Sequence, residues 1–268
     1  GVCDALQADD AVSGTYRGHA AYIAKGGDLN RMFAELYGKA TGITGGKGGS
    51  MHLIDINHHV LGTSAVVGTT VPIAAGYALA FKREGKGRVV VSFFGDGATE
   101  EGVFLETINF AALHRLPILF ICENNGYAIH TPSSRRWATD RLAERVATYG
   151  MRVAQIQDAD VFQIRSTVAS MVSDLRAGSG PAFIESKVYR WQEHVGPNQD
   201  YDAGYRSLDE LKPWVENDQV MAVAGLLPVE QRKQIEDAVE KTVMDAVTFA
   251  ENSPFPDCSA LEEHVFAE

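Results

Sequence analysis

Cysteine is scarce in this chain: three in 268 residues, at positions 3, 122 and 258. They are too few and too scattered for a disulfide scaffold or a CxxC zinc site, and they fit a reducing compartment such as the cytoplasm. No run of about eighteen apolar residues exists to span a membrane. Positive charge is short as well. There are 24 Lys+Arg against 35 Asp+Glu, a net charge of −11, and no basic run longer than Arg135-Arg136. A nucleic-acid binder needs a basic footprint, so that class of partner is excluded. Internal repeats and low-complexity tracts are absent. With 45% hydrophobic residues the chain can bury a core, which excludes global disorder. The first residue is Gly1, and the opening GVCDALQADDAV reads as the end of an element already under way. Upstream residues are therefore expected to be missing, and an organellar matrix stays compatible with the sequence.

Glycine is plentiful but uneven. Thr41 to Ser50 carries five glycines in ten residues and must be a loop. Downstream, strand and helix patterns alternate. Thr70 to Lys82 predicts a helix with Thr70 as cap and Pro72 in the first turn. Arg88 to Phe94 is a continuous apolar run, as in a parallel strand buried on both faces. Glu100 to Arg115 has a helical stripe, and Pro117 to Cys122 is a second buried strand, giving a βαβ crossover. Met151 to Ile156 and Pro181 to Tyr189 read as strands. Between them a helix runs from Val161 to Leu175 and stops at Gly178. A polar loop spans Arg190 to Ser207, and Ile235 to Ala250 forms a last helix. The expected fold class is α/β: a doubly wound, mainly parallel sheet over residues 1–210 with a helical C-terminal tail over 211–268.

The chemistry concentrates in Phe94-Gly-Asp-Gly-Ala-Thr-Glu-Glu-Gly102 and Glu123-Asn-Asn-Gly-Tyr127. Each follows a buried strand, and parallel strands end on the one sheet edge where ligands bind. Asp96 and Asn125 lie 29 positions apart, one crossover, so the fold brings their oxygens together. A carboxylate, an amide oxygen and a nearby carbonyl are hard ligands suited to Mg²⁺ or Ca²⁺, with room left for phosphate oxygens. Gly95 and Gly97 allow close approach of a phosphate. Glycines 95, 97 and 102 do not make a dinucleotide fingerprint, and Gly46-Lys47-Gly48 fails the Walker A pattern.

The GDG…NN pair resembles the thiamine diphosphate signature. Tyr16-Arg17-Gly18-His19, Gly46-Lys-Gly-Gly-Ser-Met-His52, Val67-Gly-Thr-Thr-Val-Pro72, Gly95 to Gly102 and Asn124 to Pro132 are together similar to the α subunit of 2-oxo acid dehydrogenase E1 components, over about residues 1–210. That family includes the pyruvate, branched-chain and acetoin enzymes. The resemblance implies a Mg²⁺ site at Asp96, Asn125 and the carbonyl of Tyr127. It implies diphosphate contacts from Tyr16 and Arg17, and from Gly97 and Ala98 through the backbone. Ala65 and Val67 fall where the family meets the aminopyrimidine. His194 falls at the family's active-site loop histidine, which also touches the cofactor, and His19 at a second catalytic histidine. The resemblance further implies oxidative decarboxylation of a 2-oxo acid, with the acyl group passed to a lipoyl-bearing E2. A separate β chain supplies the activating glutamate in that family, so this chain is expected to be incomplete alone and to work as an α₂β₂ heterotetramer.

The chain departs from the family at Trp191-Gln-Glu-His-Val195, where a histidine-glycine-histidine-serine stretch is usual. Valine stands in place of the serine that mitochondrial relatives phosphorylate. Glu193 either raises the pKa of His194 or points to solvent. With that loop altered, two other readings stay open: a split transketolase-like carboligase, and a non-catalytic cofactor-binding subunit. Elsewhere, His52 serves or caps the glycine loop, and Lys47 either reaches a phosphate or aids solubility. His58-His59 lack the spacing of a metal pair. His114 favours a helix dipole, and Cys122 is packing.

Overall fold

The apolar runs at 88–94 and 117–122 form the centre of the molecule. In the computed structural model, which describes residues 1–263 and 265, they are strands β3 (Val90–Gly95) and β4 (Ile118–Asn124). They pair in parallel with Val90 opposite Ile118 and Gly95 opposite Glu123. Four more parallel strands complete the sheet: β1 (Ala11–Thr15), β2 (Val60–Ser64), β7 (Arg152–Ile156) and β8 (Ala182–Lys187). A two-stranded hairpin, β5 (Tyr127–Ala128) and β6 (Thr131–Pro132), lies beyond the end of β4. The sheet order is β2-β1-β3-β4-β8-β7. The chain leaves β1 toward β2 and then crosses back to β3 on the other side. The switch point of this doubly wound sheet is thus between β1 and β3, where ligands of such folds bind.

Helices cover both faces. On one lie α3 (Thr70–Glu84), α4 (Gly102–Leu113) and α5 (Leu142–Ala147), packed on Phe94, Phe120 and Phe183. On the other lie α1 (His19–Ala24), α2 (Leu29–Leu36) and α6 (Val161–Arg176), packed on Val91, Leu119 and Ile184. Burying such aliphatic and aromatic side chains contributes about 1.5–3 kcal/mol each. Helices α7 (Leu208–Glu216), α8 (Gln219–Ala224) and α9 (Val229–Asn252) form the C-terminal part. Lys39 donates to the Ser253 carbonyl at 3.0 Å and Thr41 to the Ser253 hydroxyl at 2.7 Å, fastening the end of α9 beside α2. Among the described residues no helix is long and apolar enough to cross a membrane.

Two expected helix starts move. Thr69, not Thr70, precedes α3, and its hydroxyl donates back to the Val66 carbonyl at 2.9 Å rather than capping. Helix α4 begins at Gly102 because Asp96–Glu100 closes a 3-10 turn first. The opening segment holds only a 3-10 turn, Cys3–Ala5, before β1.

The glycine-rich loop is organised by an acid the pattern did not reveal. Glu35 on α2 is 0% exposed. One carboxylate oxygen accepts from the backbone N–H groups of Thr44 and Gly46 at 2.9 Å. The other accepts from Gly48 at 2.6 Å and Gly49 at 3.0 Å. A Cβ on Gly42 would fall 2.4 Å from that carboxylate, so the loop must be glycine where it wraps closest. Burial pushes the Glu35 carboxyl up, but these donors outweigh it and hold it below its ordinary value of 4.5. The stabilisation is present above that pH and is lost as pH falls through the depressed folded value. Glu35→Ala strands these buried donors and is expected to cost about 2–4 kcal/mol. Urea denaturation measures the loss, and amide exchange at Thr44, Gly46, Gly48 and Gly49 locates it. An unchanged midpoint with slow exchange there would remove Glu35 from this role.

Candidate functional site

A cleft of about 500 Å³ opens at the switch point. Strand β1 runs into it with Tyr16 and Arg17, and β3 with Asp96, Gly97 and Ala98. From β4 come Glu123, Asn125 and Tyr127, and the turn before α3 adds exposed Val66 and Val67. These elements meet because β1, β3 and β4 are adjacent, parallel and in register. Gly97 packs so close to Ala128 that a Cβ would come within 3.1 Å of its methyl. Ala65, His19 and His194 are not among the lining residues. The His19 ring is held instead at the glycine loop, 2.9 Å from the Ser50 hydroxyl and 3.1 Å from its carbonyl.

Among the described residues that line the cleft, Asp96 is the only carboxylate that is almost completely buried, at 1% exposure. Arg136, nearly buried itself, donates to Asp96 and to Glu100. Its Nε also donates to the Thr131 carbonyl at 3.0 Å. Burial pushes the Asp96 carboxyl above its ordinary value, and Arg136 and the Asn125 backbone N–H oppose that rise. Asn125 folds back so that its side-chain oxygen accepts from the Tyr127 N–H at 2.9 Å. Asp96, Asn125 and the Tyr127 carbonyl are hard oxygen donors on adjacent turns, and that donor set fits Mg²⁺. Among the described residues no cluster of three or more His, Cys, Asp or Glu suggests a different metal centre.

His194 stands at the rim. Its ring meets Tyr16 edge-on, with centroids 5.6 Å apart. Its carbonyl accepts from Arg17 at 3.3 Å. Burial, reinforced by Arg17 and Arg190, lowers its pKa below the ordinary 6.5 while Asp200 opposes. The loop carrying it is folded around Arg206, whose side chain is enclosed. Arg206 donates to Asp200 and to the Gln192 carbonyl at 2.8 Å, and also to the Arg190 carbonyl. Arg190 completes the hub, 2.7 Å from the Tyr205 hydroxyl. Glu193 does neither of the two things expected of it. Its carboxylate accepts from the Asn198 N–H at 3.1 Å, and its own N–H donates to the Asn198 carbonyl at 2.8 Å, so it closes a turn.

Other expectations resolve simply. Lys47 donates to the Ala260 carbonyl at 2.5 Å. His52 is exposed and lines a separate cavity of about 440 Å³ beside the glycine loop. His58 pairs with Asp55 at 2.8 Å. His114 ends α4 with its ring on Phe110. Cys122 is buried, and burial pushes its thiol up, as packing requires. Arg136, Asp200 and Arg206 were missed, because pairings across 6 to 40 residues leave no local periodicity. Only the acid-rich Asp96–Glu101 segment and the Arg135-Arg136 pair were available as a signal.

Two tests follow from this geometry. Arg136→Met leaves Asp96 buried without its cation and is expected to cost about 3 kcal/mol at pH 7. Thermal unfolding with and without millimolar Mg²⁺ checks it; Mg²⁺ should recover part of the loss, and an unshifted midpoint would show that the pair contributes nothing. In an NMR titration the His194 imidazole should be half-protonated below pH 6.5, and Arg17→Leu should move that midpoint upward. Because the shift is downward, protonation on acidification works against the folded loop. A midpoint unmoved by Arg17→Leu would remove Arg17 from the causes and leave burial and Arg190.

Comparison with known proteins agrees with the site. The model of the dehydrogenase E1 component family matches residues 1–259. The α subunit of the Bacillus subtilis acetoin:2,6-dichlorophenolindophenol oxidoreductase is 38% identical over 99% of this chain and 80% of its own length. The Cupriavidus necator subunit of the same name is 35% identical over 96% of this chain and 78% of its own. The pyruvate dehydrogenase E1 α subunit of Zymomonas mobilis is 36% identical over 92% of this chain and 71% of its own. With a cleft at the switch point, hard oxygen donors on its floor and relatives of this kind across nearly its whole length, the chain belongs to the dehydrogenase E1 component family.

Proposed function

We propose that this chain is the cofactor-binding α-type subunit of a two-chain E1 component. It takes part in thiamine diphosphate-dependent oxidative decarboxylation of a 2-oxo acid and delivers the acyl group to a lipoyl acceptor. The observation that carries this reading is the convergence of Asp96, Asn125 and Tyr127 with Tyr16 and Arg17 in one cleft.

In this reading Asp96, Asn125 and the Tyr127 carbonyl would hold Mg²⁺, which would supply positive charge for the diphosphate. Arg17 offers a fork of donors to phosphate oxygens, and Tyr16 its hydroxyl. Gly97 and Ala98 line the same floor with backbone N–H groups. Thiamine diphosphate, when bound, supplies the electron sink for losing CO₂ from a 2-oxo acid. Val66 and Val67 present apolar surface to it and exclude water. His194, kept neutral by its burial and by Arg17, is poised to accept a proton at the rim. His19 would act from the glycine-loop side once a partner completes the wall. Ala65 would take part only with the Val66–Val67 turn.

Among the described residues nothing closes the cleft over Val66 and Val67, which are exposed. A β chain would do so, most simply as α₂β₂, with a lipoyl-bearing E2 as the next station. The three free cysteines support a reducing compartment, the cytoplasm in this reading. Coexpression with a β-type chain, thiamine diphosphate and Mg²⁺, followed by assay of 2-oxo acids and acetoin with an artificial electron acceptor, tests the proposal. Turnover that needs both chains is expected, and the panel names the substrate. Turnover by this chain alone, or consumption of an added aldehyde without oxidation, would overturn it.

A further inference from the structure

One buried acid has no part in the chemistry above. Glu185 on β8 is 1% exposed, between Ile184 and Ser186 in a strand otherwise packed into the core. Packing alone would be met by an apolar side chain, and a buried charge is costly unless it does something. One of its oxygens accepts from the Asn124 side-chain amide at 2.7 Å, and the other from Gln155 at 2.9 Å. Lys187 stands 3.4 Å away and shares its charge with Asp140 at 3.7 Å.

Asn124, itself 1% exposed, is the last residue of β4. Its side-chain oxygen accepts from the Gly126 N–H at 3.0 Å, and its backbone carbonyl from Val188 at 3.1 Å. An amide is nearly symmetric in shape, and only its partners decide which end points where. A carboxylate can only accept. Glu185 therefore forces the Asn124 NH₂ toward β8 and its oxygen toward Gly126. Turned over, the amide would set N–H against N–H at Gly126 and lose the contact that closes the turn. That turn, with Gly126 at φ +80°, aims the Asn125 side chain and the Tyr127 carbonyl.

We propose that Glu185 is a positioning residue: through Asn124 it fixes the turn whose oxygens receive the divalent cation. The inference rests on the cofactor-site reading above. A buried carboxylate one residue removed from a metal ligand behaves here like the partners that orient ligands in other metal sites, whose loss weakens metal binding about 10–100-fold.

Exchanging the two groups tests this. Glu185→Gln leaves one acceptor for the Asn124 and Gln155 donors, and its amide, free to turn, no longer dictates which end of Asn124 faces β8. Asn124→Asp puts a carboxylate against Glu185. The double exchange restores one donor and one acceptor at the contact, keeps an acceptor for Gly126 and for Gln155, and leaves the net charge unchanged. Mg²⁺ affinity at saturating thiamine diphosphate is read by calorimetry on the assembled two-chain enzyme, beside the KM for its substrate and the melting temperature. Each single variant is expected to weaken Mg²⁺ binding about tenfold or more while KM at saturating Mg²⁺ holds. The double exchange should return to within about threefold of wild type, a strong coupling between neighbours. A structural role alone would lower the melting temperature without separating metal affinity from KM.

Wild-type Mg²⁺ affinity in folded Glu185→Gln overturns the inference and leaves the site reading standing. So does a double exchange no better than the worse single variant. If Glu185→Gln does not fold, the double exchange decides alone: affinity near wild type supports the inference, and weak binding overturns it. A wild-type enzyme that binds neither Mg²⁺ nor thiamine diphosphate overturns the site reading, and this inference with it.

Discussion

The parallel register of β3 with β4 is the constraint on which the rest of the molecule depends. Both strands are buried on both faces, so a slip by one residue would turn Phe94 and Phe120 out of their layer and bring Ile121 in. With the register fixed, Gly95 lies opposite Glu123, and the residues that follow each strand leave the sheet side by side. Asp96 and Asn125 thus meet without any interaction of their own strong enough to bring them there. The crossing from β2 back to β3 adds the end of β1, and with it Tyr16 and Arg17.

A second regularity is how the fold accommodates buried acids near that edge. Glu35 is surrounded by backbone N–H groups of a glycine loop, Asp96 by a guanidinium, and Glu185 by side-chain amides and an ammonium. Asp10, at the start of β1, combines these solutions: it accepts from the Val89 and Gln7 N–H groups and pairs with Arg176 of α6. Each joins segments distant in sequence, because a charge removed from water gathers donors from wherever the chain passes. Asp10 ties β1 to β3 and α6 at the opposite end of β1 from Arg17. The strand that brings Tyr16 and Arg17 to the cleft is thereby anchored at its far end.

The centre of this fold was legible in the sequence, and its flank was not, for a physical reason. Strands β3, β4 and β8 and helix α6 carry Val, Ile, Leu and Phe where burial demands them. Strand β1 reads AVSGT and β2 reads VLGTS. They are enclosed all the same, with Ser13 bonding Ser92 across the sheet at 3.3 Å, but their small polar residues give no hydrophobic period. At the site, Asp96 and Asn125 were legible because motif and strand end coincide, whereas Arg17 was named only through the family resemblance. Arg136 and Arg206 were not legible, since a guanidinium's partner is chosen by three-dimensional proximity. Glu193 shows the same limit at short range: adjacency to His194 suggested an electrostatic pair, whereas its carboxylate turns away to the Asn198 N–H.

The loop that departs from the family pattern is held from its far end, and this explains how it can depart. Arg206 reaches back to the carbonyls of Arg190 and Gln192, and Asp200 holds Arg206 in place. The residues between these anchors need only span the distance. Val195, in place of the serine that the family resemblance leads one to expect, is 78% exposed, so a valine there leaves the fold undisturbed. His194 is fixed from outside the variable stretch, by the ring of Tyr16 and by Arg17 on its carbonyl. Its position therefore depends on the cleft it serves rather than on its immediate neighbours in sequence. A loop built this way can exchange the residues between its anchors while keeping its histidine beside Tyr16 and Arg17.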